Sequence, residues 1–296
     1  MKTIAIDFGA SYLRFAVVEN GRILRRVVQP TPSTAAGIAS AFRHSFKVLH
    51  LSGVSKKTPV GIASIGPFIR DGVIVATNVG GLRINLIKIV EKFHDGKITL
   101  LNDCNAAALA EKAFSPWRTV DNLVYVSIST GIGGGAVVDG HLLIGKDGNA
   151  AEVGHMVVDY QSDVKCGCGG LGHWEAFCSG TGLPKLAQKL TGRKVWTDSR
   201  QIFEAAARRD RRALAVLSKM AEFNAVGFSN LMNVYDPEVI VVGGGVALNN
   251  PRETVGGASR LLDRYSMLRC RIALTSLGHD GPLLGAAAAA AWENEG

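Results

Sequence analysis

Three short motifs between Glu152 and Gly180 hold the residue types that do chemistry. They are Glu152-Val153-Gly154-His155, Cys166-Gly167-Cys168-Gly169-Gly170-Leu171-Gly172-His173-Trp174-Glu175, and Ser179-Gly180. Thiolate and imidazole are the ligands zinc takes, four to a tetrahedron, and Cys166, Cys168, His173 and His155 would fill such a set. A loop wrapped round an ion needs positive φ and close backbone approach, which the interspersed glycines supply. Glu152 and Glu175 lie beside two of these ligands. A closed zinc site does not need them, so a second role is open to them, such as gripping the hydroxyls of a polyol. The competing reading is chance clustering. Cys-x-Cys is less specific than paired Cys-x-x-Cys, and a reduced cysteine is often only a small buried hydrophobe. Cys178 is read that way, as a core residue near the loop.

The rest of the chain must position that segment. At 296 residues, 47% hydrophobic and 20% charged, it is long and apolar enough for two domains with real cores. The net charge of +8 describes a basic surface that draws in anionic ligands such as nucleotides. Nucleic acid is not expected as a partner. The densest basic run, Arg208-Arg209-Asp210-Arg211-Arg212, carries no aromatic residue and reads as helical. Five cysteines form no even disulfide framework. Asp7 breaks the apolar run after Lys2, so the N-terminus does not read as a signal peptide. No stretch reaches the ~18 uninterrupted apolar residues of a membrane span, and the Ala-rich Leu283–Trp292 reads as a packed helix. A cytoplasmic chain without membrane partners is expected.

In order, Thr3–Asp7 predicts a strand, Phe8-Gly9-Ala10-Ser11 a small-residue turn, and Leu13–Val18 a second strand. Asn20-Gly21 predicts a tight hairpin, and Arg22–Val28 the returning strand. The pattern recurs. Val124–Ser129 is a strand, Thr130–Gly135 a turn, Ala136–Val138 a strand, Asp139-Gly140 a turn and His141–Ile144 the return. Val17-Val18-Glu19-Asn20-Gly21 and Val137-Val138-Asp139-Gly140 even share their wording. Such a repeat predicts two related domains, with two unrelated hairpins as the alternative. Between the copies, helix Ala35–Leu51, strand Pro59–Ile65, strand Lys97–Leu101 and helix Ala106–Phe114 alternate as in an α/β sheet. Helices are expected over Leu183–Leu190, Gln201–Arg209 and Leu214–Val234, and a buried strand over Val239–Val242. The last helix, Pro282–Trp292, is expected to cross back to the first domain. The predicted domains are residues 1–115 with 282–296, and residues 116–281 carrying the Cys/His loop.

Each glycine-rich turn closes a strand. Ser11 and Thr130 offer hydroxyls there, and neighbouring N–H groups can face an anion. Two such turns facing one another could hold phosphates, and Gly243-Gly244-Gly245 opens flat backbone for an adenine. Asn102-Asp103 ends a strand at the edge where open α/β sheets place ligands. The pair reads equally as a helix cap, and the two readings are compatible.

These motifs together resemble the ROK family (repressors, open reading frames and kinases), of actin-like, hexokinase-type ATPase fold. The residues that carry the resemblance are Asp7-Phe8-Gly9-Ala10-Ser11, Asn102-Asp103-Cys104-Asn105-Ala106-Ala107, Ser129–Gly135, Glu152–His155, Cys166–Glu175 and Gly243–Gly245. They occur in the family's order and cover nearly the whole chain. The resemblance implies two duplicated actin-like, ribonuclease-H-like α/β domains with a cleft between them. It also implies ATP-dependent phosphorylation of the 6-hydroxyl of a hexose, glucose or a broad range, with N-acetylhexosamine or glucosamine as alternatives. Asp103 matches the general base, and Asn78, Asn102, Glu152, His155 and Glu175 match sugar-holding positions. Ser11, Thr130, Gly131, Gly9, Gly133, Gly244 and Gly245 match nucleotide positions, and Asp7 matches the carboxylate that steers Mg²⁺. The zinc implied is structural, with His155 shared between metal and sugar. A homodimer is also implied. The alternative of another class is a non-catalytic sugar-sensing regulator. The family's repressors carry a winged-helix domain ahead of the first phosphate turn, whereas Asp7 here is almost N-terminal. The chain departs from the family at His173, where a third cysteine is usual, at Ala10, where glycine is usual, at Tyr12, where a basic residue is common, and at Cys104, where a small residue is usual.

Overall fold

The computed structural model describes residues 1–51, 53–69, 72–76 and 81–292. Among the described residues the chain forms three sheets, and it divides into two compact units. Unit 1 comprises residues 1–119, 142–150 and 280–296, and unit 2 comprises residues 120–141 and 151–279.

Unit 1 begins with strands β1 (Lys2–Phe8), β2 (Tyr12–Glu19) and β3 (Arg22–Pro30), joined antiparallel. Asn20 and Gly21 both take positive φ at the second hairpin, as an Asn-Gly turn requires. Helix α1 (Ala35–His50) follows, capped by the Thr34 side chain accepting from Gly37 N–H. Its apolar stripe, including Ile38, Phe42, Phe46 and Leu49, closes on Phe15 of β2, with the Phe15 and Phe42 rings edge-on at 5.0 Å. Strand β4 (Val60–Ser64) then lies parallel to β1. A small antiparallel sheet of β5 (Phe68–Ile69), β6 (Val73–Ala76) and β7 (Leu82–Asn85) leads into α2 (Leu86–Val90). Strand β8 (Ile98–Asn102), parallel to β4, runs directly into α3 (Asp103–Phe114).

Unit 2 repeats the scheme. Strands β9 (Leu123–Ile128), β10 (Ile132–Val138) and β11 (His141–Leu142) are followed by α4 (Glu175–Cys178), α5 (Leu183–Thr191), α6 (Ser199–Ala207) and α7 (Arg211–Tyr235). Then come β12 (Val239–Gly243), α8 (Gly245–Asn249), α9 (Gly257–Ser259) and β13 (Arg271–Leu274). The sheet orders are β3-β2-β1-β4-β8 and β11-β10-β9-β12-β13. Numbered from its own first strand, each sheet reads 3-2-1-4-5, with strand 2 antiparallel to strand 1 and strands 1, 4 and 5 mutually parallel. The repeated wording therefore marks a repeated topology. The central parallel strands β4 and β12 are buried along their whole length, which accounts for the absence of charged residues in them.

Some boundaries moved for identifiable reasons. Helix α3 starts at Asp103 rather than Ala106, because the Asn102 side chain caps it. The basic run at 208–212 is a joint between two helices: α6 ends at Ala207, Arg209 takes φ +63°, and the Asp210 side chain caps α7. The returning strand after Asp139-Gly140 is only His141–Leu142. Strands β5, β7 and β13 went unanticipated, their segments being short or partly polar.

The final helix, α10 (Gly281–Trp292), packs in unit 1 on α3, β1 and β4. The approach is backbone to backbone: a Cβ on Gly285 would land on the Ala106 carbonyl, and one on Gly61 on the Ala286 carbonyl. Gly285→Ala should therefore destabilise the protein by about 1–3 kcal/mol through overpacking. Chemical denaturation against wild type checks this.

A second tie joins the end of α1 to the segment after α2. His94 is buried and stacks on Phe46 at 5.3 Å. His94 Nε2 lies 2.6 Å from the Thr58 carbonyl, so this nitrogen carries the proton, and Nδ1, 3.2 Å from His50 Nε2, accepts. The chain of bonds needs the His94 ring neutral, since its Nδ1 must keep a lone pair to accept. Burial lowers both histidines below their ordinary pKa, and for His50 the neighbouring His94 adds to it. A base depressed in the folded state contributes stability above the unfolded pKa and loses it as pH falls. Urea midpoints should therefore drop between about pH 7.5 and about pH 5.5, and His94→Gln should flatten that dependence.

Candidate functional site

In unit 1 the candidate residues stand at the carboxyl ends of three adjacent parallel strands. Phe8 of β1 pairs with Ser64 of β4, and Ser64 with Asn102 of β8. The turn Gly9–Ser11, the turn after Ser64 and the Asn102-Asp103 pair thus lie side by side at the edge where open α/β sheets bind ligands. Gly9 donates its N–H to Tyr12 O at 3.1 Å and accepts from Thr31 Oγ1 at 2.7 Å. A Cβ on Gly9 would meet Tyr12 O at 2.9 Å, so the turn needs glycine there, while Ala10 and Ser11 are exposed. Asn102 caps α3 by accepting from Cys104 N–H at 2.9 Å, and Asp103 Oδ1 accepts from the same group at 2.8 Å. Capping and ligand presentation are thus compatible, since the cap fixes where Asp103 stands.

Asp7 was expected to steer Mg²⁺. It is almost completely buried and ion-paired with Arg14, its cross-strand partner in the β1–β2 register. Burial pushes its carboxyl up, and the guanidinium pulls against that. Arg14 was missed, although it and Asp7 are equally spaced about the Ala10-Ser11 turn. Also missed was Asn105. It is buried beside Asn102, lines a cavity of about 560 Å³ with Phe68, Leu101 and Lys146, and neither of its carboxamide atoms has a partner among the described residues. Asn78 lies outside the described residues.

In unit 2 three glycine-rich turns converge. Ser127 of β9 pairs with Gly243 of β12, so the turns at 129–131 and 243–245 leave neighbouring strand ends. Gly180 donates to Ser129 O at 2.7 Å and brings in a third. Gly244 has φ +88°, and a Cβ there would meet Ile128 O at 2.5 Å. Gly245 opens α8, its Cβ position 3.9 Å from Ser129 Oγ. The second expected phosphate turn is shorter than Thr130–Gly135. It ends at Gly131, and Gly133 lies in β10 opposite Ser127. The later glycines have a packing reason: a Cβ on Gly134 would meet Val153 Cγ2 at 2.7 Å, and one on Gly154 would land on the Ile132 carbonyl.

That close crossing sets the Glu152–His155 turn against β10 and positions the Cys/His loop. The loop is pinned by an isolated bridge between Val157 and His173 and by Cys166 N–H donating to Gly170 O at 2.8 Å, with Gly169 at φ +92°. Trp174 anchors its end. It is fully buried, packs on Gly227 and edge-on to Phe228, and donates Nε1–H to Asn224 Oδ1 at 2.8 Å. His155 Nδ1 faces Cys166 Sγ at 3.7 Å, and His173 Nδ1 faces Cys168 Sγ at 3.4 Å. One ligand atom from each of His155, Cys166, Cys168 and His173 falls within 4.8 Å of all the others. A tetrahedral zinc with ordinary bond lengths requires ligand separations of about 3.3–3.8 Å, which the His155–Cys166 and His173–Cys168 pairs meet, so the donor set fits the ion in type and number. Burial, with the neighbouring Glu175 carboxylate adding to it, pushes the Cys166 thiol up to about 12. A cation held by the sulfur is what reverses such a shift.

The carboxylates flank this cluster. His155 Nε2 lies 3.7 Å from Glu152 Oε2. Desolvation lifts the Glu152 carboxyl above the usual range, His155 opposes this and Glu175 adds to it. Glu175 accepts from Cys166 Sγ at 3.2 Å on Oε1 and from Ile132 N–H at 2.9 Å on Oε2. Cys178 stands apart, fully buried with its thiol toward Met220 O at 3.5 Å.

Two sheets of one topology, each with glycine turns at its carboxyl edge and one carrying a Cys/His loop, define a chain of the actin-like ATPase fold. It belongs to the ROK family, whose model matches residues 3–293. It is 37% identical over 295 residues to a glucokinase from Pyrobaculum calidifontis, an alignment covering 98% of this chain and 95% of that one. The structure of a ROK hexokinase from Thermus thermophilus matches with a TM-score of 0.86 at 32% identity, covering 99% of each chain. That of a ROK glucokinase from Streptomyces griseus, in complex with glucose and AMPPNP, matches with a TM-score of 0.76 at 28% identity over 97% of this chain and 98% of that one.

His173→Ala should lower the metal content of the purified protein and its thermal midpoint. Metal analysis and melting check this, and unchanged metal stoichiometry would exclude His173 as a ligand.

Proposed function

We propose that this ROK chain is a hexokinase of glucokinase type, which transfers the γ-phosphoryl group of ATP to the 6-hydroxyl of a hexose, glucose first. The observation that carries the reading is the place of Asp103. It stands at the first position of α3, fixed by the Asn102 cap, on the strand edge it shares with the Gly9–Ser11 turn. Relatives that are glucokinases and hexokinases, one of them holding glucose and an ATP analogue, support the same chemistry.

Phosphoryl transfer asks little covalent chemistry of the protein and much positioning. Asp103 takes the proton of the 6-hydroxyl as its oxygen attacks phosphorus in line, with ADP leaving. Asn102, Glu152, His155 and Glu175 grip the remaining hydroxyls, and the turns at Gly9–Ser11, Thr130–Gly131 and Gly244–Gly245 hold the nucleotide. Zinc at His155, Cys166, Cys168 and His173 would be structural. It would fix the His155 tautomer, so that Nε2 faces the sugar site as a defined group. Mg²⁺ accompanies the nucleotide. Arg14 already compensates the Asp7 carboxylate, so Asp7 suits an outer role toward that ion rather than direct coordination.

ADP release from ATP and Mg²⁺ should depend on added hexose, with glucose preferred over mannose, glucosamine and the N-acetylhexosamines. Asp103→Asn should lower kcat by about 10²–10⁴-fold while sugar binding by calorimetry persists. Near-normal turnover would sink the base assignment.

A further inference from the structure

We infer that Glu175 is a positioning residue for the Thr130–Gly131 turn and couples that turn to the Cys/His loop. The inference rests on reading the turn as one that holds nucleotide phosphates.

Three backbone groups of the turn are held from the segment that starts at Glu175. The Ile132 N–H donates to Glu175 Oε2 at 2.9 Å. Ser129 O accepts from Gly180 N–H at 2.7 Å, and Thr130 O accepts from Thr181 N–H at 3.2 Å and from Thr181 Oγ1 at 2.9 Å. Two carbonyls, the groups that would repel a phosphate, are thereby committed to protein donors. The carboxylate also occupies the space a side chain at 131 would need, because a Cβ on Gly131 would land on Glu175 Oε2. A side chain at 131 would therefore have to displace the Glu175 carboxylate from the Ile132 N–H. The other carboxylate oxygen, Oε1, lies 3.2 Å from Cys166 Sγ, a member of the metal-type cluster. One side chain therefore touches both the first residue of β10 and a thiol of the loop. A sugar contact alone explains neither bond. Both belong to unit 2.

The test separates reach from charge. Glu175→Asp keeps the charge but is one methylene too short for the Ile132 N–H, whereas Glu175→Gln keeps the reach and an acceptor oxygen but loses the charge. Affinity for a non-hydrolysable ATP analogue with Mg²⁺ is measured without sugar, so sugar contacts do not enter. Hydrogen exchange of the Ile132 amide is followed in the same proteins, and metal content confirms that each is loaded. Glu175→Asp should raise the Kd about tenfold, about 1.4 kcal/mol, and speed exchange by a similar factor. Glu175→Gln should stay within about threefold of wild type in both. Chelating the metal should speed Ile132 exchange in wild type and add little in Glu175→Asp, because the link is already broken. Thr181→Val, remote from the cluster, should weaken nucleotide binding in the same direction as Glu175→Asp. The reverse order of Asp and Gln, or exchange unchanged in both, would overturn the inference. Wild type that binds no nucleotide would overturn the kinase reading alone, since the exchange comparison still decides what Glu175 does.

Discussion

The Cys/His loop is set against β10 because two glycines leave room at the crossing. Gly154 meets the carbonyl of Ile132, and Gly134 receives Val153. Had either carried a Cβ, the Glu152–His155 turn could not lie on β10, and His155 would not reach Cys166. The same device recurs in unit 1, where Gly61 and Gly285 let α10 settle on β4 and α3. Protein interiors are packed too tightly to absorb even a methyl at such crossings. These glycines therefore specify architecture more than flexibility.

The second constraint is topological. Each sheet reads 3-2-1-4-5, and each ends its central parallel strands on turns that are short and glycine-bearing. Parallel strands present their carboxyl ends together, so residues far apart in sequence share one edge. Ser64 and Asn102 become neighbours in unit 1, and Ser127 and Gly243 in unit 2. Asp103 gains its place from this edge and from a helix cap, both properties of backbone geometry. The charged groups are then arranged locally. Arg14 meets Asp7 across a hairpin, and Glu175 lies between a thiol and a backbone N–H.

Much of this was legible in the sequence because each signal was local. The repeat announced itself in the wording of two hairpins, and Asn20-Gly21 and Asp139-Gly140 took the positive φ that such turns demand. The ligand-type residues His155, Cys166, Cys168 and His173 were named by type and spacing, and Asn102 was recognisable as a cap. Cys178 read correctly as core because nothing beside it was a ligand. The boundary of the second phosphate turn misled, since a glycine run looks like a turn whether its glycines serve φ or close packing. Gly133 and Gly134 proved to be strand residues.

By itself, then, the sequence determined the fold class, the duplication and the chemical types gathered in the Cys/His loop. Those are carried by periodicity, turn chemistry and short spacings, which need no distant partner. Only the tertiary structure decided that Asp7 is neutralised by Arg14, that Asn105 sits beside a cavity without a hydrogen-bond partner among the described residues, and that Glu175 bonds to Ile132 across 43 positions of sequence. Each of these depends on which strands lie side by side and which backbone atoms come within hydrogen-bond reach, and chain folding settles that only once the sheets have formed.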